Sequence, residues 1–295
     1  MNTHHQMINE GARATMTRPI SGSMLNIGNG FTAHSFRARE VGTAMDPLVM
    51  VDHYVMTEPT FGAHPHAGMS ALSLLFEDTT GQFHNRDSLG NDFDLQPGDL
   101  FWLKAGSGAL HDEAPRPGSR IHGLQVFVNV PQVERFDAPD SLLVRAQAMP
   151  VLAAKGYRVR VAIGASNGVV GAKSPSIPMT VLDGLVNPRA SFVHRVADRR
   201  GVWVHAIAGD IEVMLDDKGH RLSNGQALAI RTTAATQLTI MNRSASQTQF
   251  ALLEGQRIDE PFVQEGPFVM GSHAQIKEIK SAYETGLLAS LPPSF

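Results

Sequence analysis

The sequence predicts an all-β protein, a sandwich or barrel built twice over, closed by one short helix. Three observations carry this. Short apolar stretches of strand length alternate with glycine- and proline-rich turns roughly every ten residues, the pattern of sandwiches and barrels. The same order of features then returns in the second half, where Gly81 and Gly98 lie 17 positions apart and Gly209 and Gly225 lie 16 apart. Finally, only the C-terminal stretch changes period: Ser272 and Gln275 form a capping pattern, Ile276, Ile279 and Tyr283 recur at helical spacing, and Gly286 stands where a helix ends.

Taken in order, residues 1 to about 20 read as a loose lead-in. Leu48–Val51 follows the turn signal Asp46-Pro47, and Ala71–Phe76 is an apolar run broken only by Ser73. Pro97-Gly98-Asp99 introduces Leu100–Leu103, and Leu124–Val130 is a further strand. Residues 131 to about 155, punctuated by Pro131, Pro139 and Pro150, read as a connector. Arg158–Ile163 alternates again and is followed by Gly164, Gly168 and Gly171. Their spacing matches neither common phosphate fingerprint, so they read as a flexible loop. Met179–Leu182, Ser191–His194, Val202–Ile207, Ile211–Leu215 and Ala227–Ile230 complete the second set, which has neither a His-x-His nor a His-x-Glu.

Composition bounds the function. With 295 residues, 42% of them hydrophobic, the chain can build one large domain or two ordinary ones. A formal charge of −3 implies no broad basic surface, so direct nucleic-acid binding is not expected. The absence of cysteine excludes disulfides, iron–sulfur clusters and thiol catalysis, and it fits a reducing compartment. Met1–Arg18 lacks the apolar region of a signal peptide, and no run of 18 apolar residues occurs, so a cytoplasmic protein without a membrane span is expected.

The chemistry gathers between Gly62 and Glu113. His64-Pro65-His66 and His111-Asp112-Glu113 each space their polar members two apart. In a strand, residues i and i+2 share a face, so His64 and His66 converge, as do His111 and Glu113. Pro65 holds the preceding residue in extended geometry and places this segment at a strand start or edge. Three imidazoles and a carboxylate form a ligand set for one divalent metal. The bland alternative is a surface pair at His64 and His66, and a β-bulge would exchange Glu113 for Asp112. His4, His5, His84, His122, His194, His205, His220 and His273 default to structural or surface roles, while His53 stands near enough in the pattern to approach the site. Phe61, Phe83 and Phe101 are candidate pocket walls.

These residues resemble a known family. His-Pro-His-Ala-Gly at 64–68, Pro-Gly-Asp-Leu at 97–100, Ala-Gly-Ser-Gly-Ala-Leu-His-Asp-Glu at 105–113, Gly-Leu-Gln-Val-Phe-Val-Asn-Val-Pro at 123–131 and Glu-Gly-Pro-Phe-Val-Met at 265–270 look like the pirin family of the cupin superfamily. The resemblance runs in order from about Asp46 to Gly286. It implies a bicupin of two β-sandwich barrels: a metal-binding one over 21–150 and a degenerate one over 151–295 with the closing helix. The family's metal ligands fall on His64, His66, His111 and Glu113. In a dioxygenase reaction Glu113 is also the expected catalytic residue, accepting the substrate's hydroxyl proton either while coordinated or after swinging off the metal. Iron, as Fe(II), is the metal usually associated with the family, and Ni, Cu, Co, Mn and Zn also tolerate this donor set. Some bacterial members are similar in activity to quercetin 2,3-dioxygenases, which implies a small aromatic substrate and O2. Others are regulatory proteins, which implies a protein partner. The sequence departs from the family pattern at Ala67, Ser70 and Ser107, where arginine, glutamate and arginine are usual, and each change removes charge beside the site.

Overall fold

The computed structural model describes residues 13–288. It contains two antiparallel barrels, each a large sheet curled against a four-stranded one. In the first, seven strands run in the order Asp140–Val144, Leu100–Lys104, Met69–Leu75, Ile121–Asn129, Leu48–Met56, Phe31–Arg37, Ser23–Ile27. The facing sheet runs His64–His66, Ala109–Pro115, Phe83–Asp87, Asp92–Leu95. In the second barrel the large sheet runs Ala14–Met16, Gln226–Thr232, Arg200–Ala208, Thr248–Gln256, Met179–Val186, Tyr157–Ile163, Val151–Ala154. Its partner runs Ser191–Val196, Thr236–Met241, Ile211–Leu215, Lys218–Leu222. This is an all-β bicupin.

The large sheets pack back to back, which explains why their strands read as nearly unbroken apolar runs. In Leu100–Lys104, Leu100 and Trp102 join the layer between the barrels, whereas Phe101 and Leu103 turn into the first barrel. The layer unites Phe36, Leu72, Leu74 and Trp102 with Trp203, Ile207, Ala251 and Leu253. The rings of Phe36 and Trp203 meet edge to face at 5.1 Å.

Several expectations need correction. The lead-in is structured where it is described. Ala14–Met16 and Ile20–Ser21 both pair with Gln226–Thr232, so the N-terminal segment completes the second barrel's sheet. The exposed edge of that strand needs hydrogen-bond partners, and Ala14 and Met16 pack on the second core while supplying them. Residues 1–12 lie outside the described residues. The connector also carries strands. Asp140–Val144 pairs with Leu100–Lys104 in the first barrel, and Val151–Ala154 pairs with Tyr157–Ile163 in the second. The glycine loop is a β-hairpin, Ala165–Ser166 paired with Val169–Val170, around Asn167 and Gly168 at φ 46° and 83°. Asn-Gly at a two-residue turn matches the twist of the strands it joins.

The closing helix spans His273–Glu284, capped by Ser272, whose hydroxyl accepts the Gln275 N–H at 3.3 Å. Ile276 and Ile279 bury against Ala67, Phe268 and Met270, so the helix and the hairpin of Val263–Glu265 and Phe268–Met270 cover the strand that carries His64 and His66. Among the described residues, no helix is long and apolar enough to cross a membrane.

Candidate metal centre

His64–His66 and Ala109–Pro115 are antiparallel neighbours, with His64 opposite His111 and His66 opposite Ala109. The register through Ala109–Pro115 is continuous, so alternation decides the faces. Glu113 points inward, while Asp112 turns away to an ion pair with Arg86 at 3.0 Å.

The three imidazoles converge. His111 Nε2 lies 2.9 Å from His66 Nε2 and 3.0 Å from His64 Nε2. On their far sides, His64 Nδ1 is 2.8 Å from the Gly62 carbonyl and His66 Nδ1 is 3.3 Å from that of Pro267. A carbonyl only accepts, so both Nδ1 atoms carry the proton and both Nε2 lone pairs face inward. One N–H on His111 can serve one of these lone pairs well but not both, and His111 Nδ1 is buried without a hydrogen-bond partner. A shared cation removes the conflict. Metal–nitrogen bonds of about 2.1 Å at right angles set neighbouring nitrogens about 3.0 Å apart, whereas tetrahedral bonds set them about 3.4 Å apart. Both observed separations from His111 Nε2 are near the first value.

Glu113 stands beside this group rather than within it. Among the described residues, His64, His66 and His111 are the cluster whose ligand atoms all lie within 4.8 Å of one another. Glu113 Oε1 is bonded to the Ser73 hydroxyl at 2.9 Å, and its Oε2 lies 3.9 Å from His111 Nδ1. Burial holds the histidines neutral, with His66 lowered to about 3 and His111 well below the usual range. Burial pushes Glu113 up to about 7, against the Ser73 hydrogen bond, and Asp112 adds to the rise.

The cluster opens on a cavity of about 450 Å³. Its walls are mostly apolar, including Phe31, Met50, Met56, Phe61 and Phe127. Of the candidate wall residues, Phe61 lines the cavity, but Phe83 and Phe101 are buried in the barrel core, where Phe101 packs edge to face on Phe93. His53 does not approach the site. It faces the inter-barrel layer, 2.8 Å from His122 Nε2, while its neighbours Asp52 and Tyr54 face the cavity. Sequence reasoning missed those two, and also Arg37, Gln125 and Ser73. Asp52 accepts from Arg37 Nη1 and Ser35, both at 2.7 Å, and the Ser73 hydroxyl lies 2.7 Å from Gln125 Oε1. The Tyr54 hydroxyl is buried and unpartnered. Two signals pointed here: the single polar break at Ser73 in an apolar run, and the shared face of Met50, Asp52, Tyr54 and Met56 at period two.

At two of the three departures from the family pattern, Ala67 and Ser70, the surroundings are closed. Ala67 is fully buried under Phe268 and the closing helix, which leaves no room for a long charged side chain. Ser70 is fully buried with its hydroxyl unpartnered, and Ser107 donates its backbone N–H to the Asp137 carbonyl at 2.8 Å.

Comparison with known proteins agrees with this architecture. The family model described as Pirin matches residues 27–128, and that described as the pirin C-terminal cupin domain matches residues 181–289. Mouse pirin is 29% identical over 235 residues, which cover 79% of this chain and 80% of the mouse protein. Human pirin is 28% identical over the same shares of the two chains. Among solved structures, a quercetin 2,3-dioxygenase from Acinetobacter baumannii superposes with a TM-score of 0.82 at 25% identity, covering 95% of this chain and 99% of that one. With two successive family matches and the bicupin fold that joins them, the chain belongs to the pirin family.

Proposed function

We propose that the first barrel is a metal-dependent dioxygenase site of the quercetinase type, acting on flavonol-like enolic substrates with O2. One observation carries the reading: three imidazole lone pairs meet at the floor of a largely apolar, aromatic-walled cavity. The likeness to the A. baumannii quercetin 2,3-dioxygenase supports it. His64, His66 and His111 would hold the ion, with Glu113 as fourth ligand once its carboxylate turns from Ser73. Fe(II) is the proposed metal, and the donor set also accommodates Ni, Cu, Co, Mn and Zn. When bound, the ion supplies Lewis acidity and open positions for oxygen donors.

The chain's own residues do the rest. Phe31, Phe61 and Phe127 flank a planar ring system and exclude water around it. Glu113 Oε2, the carboxylate oxygen that Ser73 leaves free, takes the proton of the enolic hydroxyl. That transfer belongs to the state in which Glu113 is off the ion and the Ser73 hydroxyl donates to its Oε1. The test is oxygen and quercetin consumption by protein loaded with each metal in turn, with and without air. No metal-dependent consumption under air would remove the reading.

One observation favours a second reading, a metal-dependent regulatory protein without turnover. His66 Nδ1 bonds the Pro267 carbonyl, and Ala67 bridges to Phe268, so a metal ligand is tied directly to the C-terminal hairpin. Metal occupancy would then be felt at a surface that a protein partner can reach. Pull-downs with wild type and His64→Ala separate the two, because identical partners from both would sink the regulatory reading.

A further inference from the structure

The strand pairings let the two barrels be laid over one another residue by residue. Leu95, opposite Phe83, corresponds to Leu222, opposite Ile211, and the turn glycines Gly98 and Gly225 follow each by the same interval. His111 and Glu113 then fall on Leu238 and Ile240. His64, opposite His111, falls on His194, opposite Leu238, and His66 falls on Val196. Met50 and Phe127, which share a register pair at the rim of the metal cavity, fall on Thr180 and Glu254.

The second barrel has therefore lost three ligands to apolar residues and kept one histidine in a new role. His194 is buried between the Ser166 hydroxyl, 2.8 Å from its Nδ1, and Glu254 Oε2, 2.7 Å from its Nε2. Its rim has changed as well. A cavity of about 470 Å³ opens there, walled by Gly164, Thr180, Lys173, Arg195, Arg200 and Glu254, among others. Ser166 and His194 lie behind this wall, so the serine is not presented as a nucleophile.

We propose that this rim binds a small molecule carrying an oxyanion, phosphate or carboxylate, through Lys173, Arg195 and Arg200. Charge is the first reason. The cavity's lining holds three cations and one carboxylate, and that carboxylate is already engaged by His194 and by Arg200 Nε at 3.4 Å. Among the described residues, neither Lys173 nor Arg195 has an ion-pair partner. A concave site with uncompensated positive charge concentrates anions. The second reason is an unmet donor. Arg200 Nε is buried without a hydrogen bond, its approach to Glu254 being an ion pair only, while its Nη1 donates to the Pro178 carbonyl at 3.4 Å. The third is the correspondence itself, since Thr180 and Glu254 line this cavity where Met50 and Phe127 line that of the first barrel. The glycines that fail as a sequence fingerprint contribute here by shape: Gly164, at φ 74°, has no room for a Cβ against the Met179 carbonyl and the Thr180 hydroxyl, so the backbone forms the wall directly.

The test is calorimetric titration of the metal-loaded full-length protein with inorganic phosphate and, separately, with succinate. Saturable binding of one equivalent of either probe is expected, and which probe binds more tightly assigns the anion. The double variant Lys173→Ala/Arg195→Ala alters two exposed side chains and should weaken binding by about tenfold or more. His64→Ala should leave it within about twofold, because the sites are separate. Saturation by neither probe up to roughly 20 mM, a double variant that binds as wild type does, or loss of binding in His64→Ala would each overturn the proposal.

Discussion

The first barrel is hollow at its centre, whereas the second is packed there and carries its cavity at the rim. Where the first gathers three histidines, a carboxylate and a cavity, the second packs Phe192, Leu228, Leu238, Ile240, Phe250 and Leu252 into one core. One register pair shows how the same frame gives both results. Tyr54 lies opposite Gly123 in the first barrel, and the corresponding pair in the second is Gly184 opposite Phe250. The large side chain has moved to the facing strand, where a Cβ on Gly184 would stand 2.3 Å from the Phe250 ring, and Phe250 stacks on Phe192 at 5.6 Å. The comparison teaches that the barrel frame does not depend on the metal centre. The frame persists where apolar packing fills the interior, and the centre survives only where that packing is withheld.

The largest expected effect breaks the comparison at the hollow side. His111 meets both other imidazoles, so His111→Ala should reduce bound metal to below about a tenth of an equivalent, measured by elemental analysis of the purified protein. The second barrel holds only His194 of the corresponding set, so the residual metal should be no higher than in a triple variant lacking His64, His66 and His111. Equal metal content in His111→Ala and wild type would place the ion elsewhere.

The next effect tests the packed side. Phe250→Ala should destabilise the protein by about 3–5 kcal/mol, the cost of emptying a packed core position. Phe31, by contrast, borders the existing cavity, so truncating it enlarges a void whose contacts are already incomplete on one side. Phe31→Ala should cost clearly less. Denaturant unfolding of both variants gives the two numbers, and equal losses would mean that the first barrel is packed as tightly as the second.

Between the barrels the expected effect depends on pH. His53 is lowered to about 3 and His205 well below the usual range, in both cases chiefly by burial, with neighbouring histidines adding to the shift. The folded state thus keeps both rings neutral, while the unfolded chain protonates them near pH 6.5. Their contribution is fully present above that value. It is lost as pH falls below it, at about 1.4 kcal/mol per pH unit for each histidine, down toward the folded pKa. In the overlay His205 corresponds to Leu74, and neither of its ring nitrogens has a hydrogen-bond partner. His205→Leu should therefore remove one such slope from a pH series of unfolding free energies. An unchanged slope would mean that the ring is charged in the folded protein.

The sequence carried the fold and the convergence of the three histidines because both are written in period two. His64, His66, His111 and Glu113 sit on strands without a bulge, so alternation alone assigns their faces. One of the strands it missed buries polar residues. Phe83–Asp87 buries Asn85 and Asp87, the latter tied to Asn91 and Leu89, and no hydropathy pattern marks such a strand. The N-terminal segment was misread for a different reason: Ala14–Met16 is ordered by a strand more than 200 positions away in sequence. The cavity wall lay between these cases. Asp52 and Tyr54 alternate correctly, yet only the folded sheet shows which face of a doubly buried strand looks into the hollow.

The smallest effect sharpens that last point. Tyr54 spends a buried hydroxyl on nothing in the protein, and an unpaired buried hydroxyl costs about 1–3 kcal/mol. Tyr54→Phe removes it while keeping the ring that packs on Phe31 at 5.7 Å. Stability should therefore rise, by up to about 1 kcal/mol, in denaturant unfolding. If the hydroxyl instead serves a ligand, donating to a substrate oxygen at the floor of the cavity, the same variant should lower kcat/KM for that substrate by about tenfold. The paired outcome, a firmer protein and a slower enzyme, is what a hollow barrel maintained for a ligand predicts. A variant less stable than wild type would show that the hydroxyl has a partner within the fold, and that the hollow is less open than its wall suggests.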